Sequence, residues 1–387
     1  MPKITSTHII MSHTFDQDPG FIIPPAIDDR HLIKVIGVGG GGGNAVNHLY
    51  RKKIEDITYG IINTDGRALN QSPIPAKIVM GGLGAGDRPE VARKAAEACS
   101  DQISKMLADG TRMAFITASM GGGTGTGAAP VVAKIAKEQG ILTVGIVNVP
   151  FAFEGRNKMK QALAGVKAMQ DHVDTMIVIN NQRLIENYAD MPMQDCFAIA
   201  DDVLAQAAQA ISHLISVDGY WNIDFNDVNT ILKDGRSAII SEGQGQGEHR
   251  VTKALHAALE SPLLRNREIY EATRILINIY CNPDVDNPLV AREVQELEEF
   301  KNRFRQEGRS ITGWCFDRTM GEEVRITILA SGFELNIDDE GENDIIIIND
   351  NDDDKLLQSL EQPTFQRHKS HAMPPATETA KKSITFD

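Results

Sequence analysis

From Leu32 onward, short runs of apolar and largely β-branched residues alternate with longer stretches whose apolar positions recur every three or four residues. LIKVIGV (32–38), TYGIINT (58–64), RMAFITA (112–118), ILTVGIV (141–147) and TMIVIN (175–180) predict strands covered on both faces, since such runs leave no polar face. Helices are expected from Asn44 and near 89–108, 126–139 and 156–172. Strands and helices in this alternation predict an α/β fold with a parallel sheet between two helical layers. Ligands of such sheets sit at the carboxyl ends of the strands.

A longer helix is expected from about Cys196 to Ser216, where Ile199, Val203, Ala207, Ala210 and Leu214 make one apolar stripe. Beyond it, INIYCN (277–282), SITGWCF (310–316) and VRITILASGF (324–333) predict strands of a second α/β domain, with a helix near 288–306. The expected organisation is an N-terminal arm (1–30), a nucleotide-binding domain (31–195), a central helix (196–218), a second domain (219–333) and an acidic linker and tail (334–387).

Composition narrows the function classes. The chain has 387 residues, 53 acidic and 39 basic side chains and a net charge of −14. That balance, and the lack of a basic stripe, argue against nucleic acid as a partner. Nine of the acids lie between Asp338 and Asp354 with no basic residue among them, which predicts a disordered spacer interrupted by Ile345–Ile348. The four cysteines are scattered and predict reduced, buried thiols rather than disulfides or a metal site. No apolar run approaches the roughly 20 residues of a membrane span, and no signal-peptide core is visible, so a cytoplasmic protein without direct membrane insertion is expected.

Glycine changes the picture most. Of 33 glycines, 15 fall in three segments: Gly37 with Gly39–Gly43, Gly81–Gly86, and Gly121–Gly127. The first, GVGGGGGN, joins a strand to a helix, where bare backbone and a helix N-terminus suit phosphate. It contains GxGxxG (Gly37, Gly39, Gly42), and with Asp65 as a ribose acid this leaves a nicotinamide-dependent oxidoreductase open. No GxxxxGK[ST] occurs. The second segment, SMGGGTGTGAAP (119–130), interleaves Thr124 and Thr126 with glycines including Gly122, Gly123 and Gly125. A single dinucleotide does not need this second nest; a triphosphate has oxygens for both. In the third, GGLGAGDRPEV, amides around Gly86 are placed to cap a terminal phosphate, and Pro89 suits the first turn of a helix.

In this order, GVGGGGGNAVN, NTDGRALN, GLGAGDRPEVARKAAE, ITASMGGGTGTGAAPVVAKIAKEQGILTVGIV, FEG and NIDFNDV resemble the FtsZ family, the bacterial cell-division GTPases related to tubulin. The resemblance implies GTP and GDP as ligands, with Mg2+ expected. It assigns the phosphates to Gly40, Gly41, Gly42, Gly43 and Asn44, with Gly123, Thr124 and Gly125. It assigns the ribose to Glu154, a sugar-phosphate contact to Lys158 where the family carries Arg, and the base to Asn181, Phe197 and Asp201. Asn222, Asp224 and Asp227 would cover the γ-phosphate of a neighbouring subunit and activate water there; on the residues alone they also suit a turn and helix cap. The implied protein is a head-to-tail homopolymer of the cell-division ring, at the division site. A GTP-binding scaffold filament that does not hydrolyse remains the alternative. LEQPTFQR (360–367) resembles the family's C-terminal peptide, which implies membrane-tethering and division proteins as partners around Pro363–Arg367.

Overall fold

A computed structural model describes residues 32–333 apart from 55, 217–218, 260–266 and 305–307. The N-terminal arm, the acidic spacer and the tail peptide lie outside the described residues.

Six strands make the first sheet: β1 (Ile33–Val38), β2 (Ile57–Asp65), β3 (Ala76–Gly82), β4 (Met113–Ser119), β5 (Leu142–Val149) and β6 (Thr175–Asn180). Their order is β3-β2-β1-β4-β5-β6 and every neighbouring pair is parallel. Each return crosses a face through helices α1 (Gly39–Arg51), α2 (Gly66–Gln71), α3 (Pro89–Ala98), α4 (Ser100–Leu107), α5 (Gly123–Glu138) and α6 (Arg156–Gln170); α7 (Asn181–Asn187) follows β6. The apolar runs serve both faces by simple alternation. In β1, Ile33 and Val35 join the core that contains α1, while Ile36 and Val38 join the core under α5 and α6.

Helix α8 (Met193–Ser216) has 24 residues, about 36 Å of axis at 1.5 Å per residue. Val203, Leu204, Ala207, Ile211 and Leu214 form its buried stripe, within one hydrophobic core shared by the first sheet and the second domain. The second domain contains β7 (Gly219–Trp221), α9 (Phe225–Leu232), β8 (Arg236–Gly245), α10 (Arg250–Leu259), β9 (Arg274–Cys281), α11 (Ala291–Lys301), β10 (Arg309–Phe316) and β11 (Val324–Ser331). Its order is β8-β11-β9-β10-β7, antiparallel except for the β9–β10 pair. A short parallel pairing of Thr175 and Met176 with Arg236 and Ser237 joins the two sheets edge to edge.

The structure departs from the sequence-based elements in three places. Helix α1 begins at Gly39 rather than Asn44, so the glycine run is its first turn. The stretch 89–108 is two helices that meet at Cys99, whose ψ of 14° leaves the helical range. Strands β3, β7 and β8 were not evident from the pattern. At β8 the reason is packing: a Cβ on Gly243 would meet the Ala254 carbonyl and Ala258 amide, and one on Gly245 the Arg250 carbonyl. Close approach of α10 requires glycine there and dilutes the apolar signal. All four cysteines are free, and no helix among the described residues is long and apolar enough to cross a membrane.

Candidate functional site

The glycine segments meet at the carboxyl edge of the first sheet, and their glycines are of two kinds. Some permit contact between loops. A Cβ on Gly41 would meet the Ser119 side chain, one on Gly42 the Thr117 carbonyl, and one on Gly125 the Ser119 carbonyl, so α1 and α5 both press on the end of β4. A Cβ on Gly123 would lie 2.8 Å from the Arg88 amide and 2.9 Å from Ala85, and one on Gly127 would strike the Pro89 carbonyl. These contacts bring the 81–91 segment against α5. Others face open space: Gly40, Gly43, Gly86 and Gly122 have no neighbour to meet, beyond Arg88 Nε at 4.0 Å from Gly86. Helices α1 and α5 have no capping side chain and no acid in the first turn. Two helix N-termini thus present unpaired amides and positive dipole ends to one cradle.

Hydroxyls tie the cradle together. Thr64 Oγ1, at the end of β2, lies 2.7 Å from Thr124 Oγ1 in the first turn of α5. The Gly121 amide donates to Thr126 Oγ1 at 2.9 Å, so Thr126 is buried as the brace of its own loop. Asp65, the acid of the dinucleotide alternative, accepts the Arg67 amide at 2.8 Å and caps α2.

Around the cradle stand the groups suited to a sugar and base. Glu154 accepts the Phe151 amide at 3.0 Å and the Lys158 ammonium at 3.1 Å. Phe197 is half exposed, edge-on to Phe151 at 5.6 Å between ring centroids. Asn181 is buried and its Oδ1 has no hydrogen-bond partner. Such an orphaned acceptor costs free energy unless something completes it. Burial pushes the Asp201 carboxyl up to about 6, with His48 opposing and Asp202 reinforcing the shift. Burial acts the same way on Asp202, but hydrogen bonds from Lys52 and His48, at 2.5 and 2.7 Å, outweigh it and hold that carboxyl below its ordinary value. His48 and Lys52 thereby tie α1, which carries the glycine turn, to α8. Sequence reasoning missed this clamp, although the spacing of four residues on one helix face was available.

Asn222, Asp224 and Asp227 are elsewhere. Asp224 and Asp227 form the N-terminal capping box of α9. The Arg112 guanidinium lies 5.7 Å from the Phe225 ring centroid, and Arg112 immediately precedes β4. At the other end of α9, Thr175 Oγ1, on the first residue of β6, donates to the Leu232 carbonyl at 2.6 Å. Both ties hold this segment at the amino edge of the sheet, whereas the cradle occupies the carboxyl edge of the same strands. A strand of seven residues such as β4 spans about 23 Å.

The sequence profile described as "Tubulin/FtsZ family, GTPase domain" matches residues 32–189, and that described as "FtsZ family, C-terminal domain" matches 235–334. The cell division protein FtsZ of Porphyromonas gingivalis is 49% identical over an alignment of 329 residues that covers 82% of this chain and 72% of that protein. The chain belongs to the FtsZ family.

An empty FtsZ dimer of M. jannaschii superposes with a TM-score of 0.68 at 36% identity, covering 78% of this chain and 88% of that one. CetZ2 of Haloferax volcanii, a GTPγS-bound protofilament, superposes at 0.64 with 18% identity, over 79% and 94% of the two chains; that likeness shows the fold alone. Membership makes this chain a cell-division GTPase with the tubulin-like α/β fold. The FtsZ-family glycine segments, Glu154, Lys158, Asn181, Phe197 and Asp201 all border the carboxyl edge of its first sheet. The acidic loop at 222–227 does not.

Proposed function

We propose that GTP occupies the cradle and is hydrolysed only when the Asn222–Asp227 segment of a second copy closes over it. Gly40, Gly41, Gly42, Gly43 and Asn44, with Gly122, Gly123, Thr124 and Gly125, hold the phosphates through amides and the Thr124 hydroxyl. Thr126 keeps the loop in shape, and Gly86 borders the γ-phosphate. Glu154 and Lys158 take the ribose side. Phe197 stacks on the base, while Asn181 and the Asp201 carboxylate read it; guanine offers Asp201 a pair of N–H donors that adenine lacks. Among the described residues no group of three or more His, Cys, Asp or Glu gathers to ligate a metal. Mg2+ would be held mainly by phosphate oxygens and water, in keeping with its preference for retained waters.

The observation that carries this reading is the separation of the cradle from the acidic loop on opposite edges of one sheet. A chain cannot bring its own Asp224 and Asp227 to its own nucleotide. Stacking cradle on loop is a heterologous contact that repeats without closing, and it grows a filament. Within each junction the incoming carboxylates orient and polarise the attacking water, while the amides and helix dipoles stabilise charge on the phosphate. On this reading the division of labour is 31–195 for the nucleotide, 196–218 as the connecting helix and 219–333 for completing the next site. The filament acts at the cytoplasmic division site, with tethering partners engaged by the tail around Pro363–Arg367.

GTP turnover against protein concentration tests the shared site. Specific activity should rise above a threshold concentration; constant specific activity down to high dilution contradicts it. Filaments seen by light scattering without phosphate release would favour the non-hydrolysing scaffold.

A further inference from the structure

A cavity of about 530 Å³ lies away from the cradle. It lies in the second domain between α11 and the start of β10, with Trp221, Ile275, Leu297 and Phe304 as apolar walls and Lys301 and Arg309 at its border. A second hollow of about 480 Å³ shares Thr273 and Arg309 with it and adds Lys233 and Arg274. Together the two carry four cations against the acids Glu298 and Asp234. The outer edge of β10 is paired by β7 only at Trp314 and Cys315, so among the described residues Arg309–Gly313 have no strand on that side. This is an apolar, cation-rimmed groove beside an open strand edge.

The described chain leaves the fold beside that groove. The Thr273 amide donates to the Ser331 carbonyl at 3.1 Å, Thr273 Oγ1 donates to the Gly332 carbonyl at 3.2 Å, and the Arg309 amide donates to the Thr273 carbonyl at 2.9 Å. Ile345–Ile348 follows Phe333 by 12 residues, a tether that extends to about 40 Å when straight. It is the one apolar run in a stretch holding nine acids and no base between Asp338 and Asp354. Four consecutive β-branched residues favour an extended backbone. The flanking charges are opposite in sign to the rim, and so short a tether gives an effective concentration in the millimolar range.

We propose that Ile345–Ile348 of the same chain lies in this groove along the free edge of β10, with its flanking acids on Lys233, Arg274, Lys301 and Arg309. Main-chain pairing to an open edge supplies the register and the apolar walls accept alternate side chains. Because Trp221 lines the groove and adjoins Asn222, the docked segment covers the face next to the acidic loop. Docking then competes with head-to-tail stacking. That consequence rests on the shared-site reading; the docking itself does not.

Trp221 lines this groove, and Trp314, the chain's other tryptophan, lies 6.1 Å from it between ring centroids, so tryptophan emission reports the groove and its immediate neighbour. The experiment is acrylamide quenching of the full GDP-bound chain, kept below the assembly threshold, against the full chain with Ile345, Ile346, Ile347 and Ile348 each replaced by serine. Docking predicts a larger quenching constant and a red-shifted emission for the serine chain. It also predicts restored protection when a peptide of residues 338–354 is added to that chain. Between about 0.1 M and 1 M salt, where the screening length falls from about 10 to about 3 Å, the native chain should lose part of its protection. Equal quenching of the two chains overturns the proposal. Protection that fades on dilution overturns it too, because a second copy is then the occupant. If quenching behaves as expected but the serine chain starts turning over GTP at the same protein concentration as the native chain, docking stands and the competition with stacking is wrong.

Discussion

Asp224 and Asp227 hold each other. The Asp227 amide donates to Asp224 Oδ1 at 2.9 Å, and the Asp224 amide donates to Asp227 Oδ2 at 3.1 Å. The two acids assigned to water activation are also the capping box of α9, so one oxygen of each is committed to folding. Alanine at either position therefore confounds two roles, whereas asparagine separates them. Asp224→Asn should keep the cap and with it the unfolding temperature, while Asp224→Ala should lose about 1 kcal/mol of stability. Both should bind GTP and release phosphate far more slowly than the native chain. Thermal unfolding measured beside phosphate release checks this; full turnover by Asp224→Asn would remove the water-activating role.

If Asp201 reads the base as proposed, nucleotide binding should depend on pH. Its folded value of about 6 stands above the ordinary 3.8, with burial as the main cause. An acid raised in this direction withdraws stability from the nucleotide-free fold as pH climbs between those two values, because the unfolded chain ionises first. In the proposed base contact, the ionised form is the one that would accept both guanine N–H groups. GDP affinity should therefore rise across the same window in the native chain, with a smaller dependence in Asp201→Asn. Calorimetric titration of both chains at pH 5 and pH 7, values chosen to lie on either side of the folded value of about 6, gives the comparison; identical pH profiles would assign the dependence to the phosphates alone.

The two classes of glycine should separate experimentally. Gly42→Ala drives a methyl into the Thr117 carbonyl and should cost about 1–3 kcal/mol, as other overpacked sites do. Gly43→Ala meets nothing within 4 Å. It should stabilise the free fold, by up to about 1 kcal/mol from helix propensity, and weaken GTP binding by narrowing the cradle. Chemical denaturation and nucleotide titration of the pair decide this.

Lys158 and Glu154 form a half-exposed ion pair at 3.1 Å. Lys158→Ala should change stability by less than about 1 kcal/mol, as pairs reached by solvent do, yet raise the KM for GTP. Lys158→Arg should lower KM, since a guanidinium fork engages phosphate or sugar oxygens with fixed geometry. An unchanged KM in both variants would remove Lys158 from the sugar-phosphate contact.

Much of this protein is written in its linear order. Largely β-branched runs such as Ile33–Val38 read as buried strands, because leaving them in water exposes too much apolar surface. Gly39–Gly43 and Gly121–Gly127 follow predicted strand ends, which already puts a phosphate site at the carboxyl edge of a parallel sheet. The stripe from Val203 to Leu214 identifies the long helix. Strand β8 escaped notice because Gly243 and Gly245 answer to α10, a neighbour that no local pattern reveals.

Other decisions belong to the tertiary structure. Neighbouring glycines look alike in sequence, yet Gly42 is pressed on Thr117 while Gly43 faces open space; packing alone distinguishes them. Asn181 Oδ1 becomes an orphaned acceptor, and Asp201 an elevated acid, only once the fold removes water around them. The deciding case is the acidic loop. Its residues announce a cap or a catalyst equally well, and spacing cannot say which nucleotide they serve. Arg112 against Phe225 and Thr175 against Leu232 hold that loop across the sheet from the cradle, because a strand is a rigid spacer with two ends. Local patterns specify the chemistry at each end, and the folded sheet keeps the ends apart.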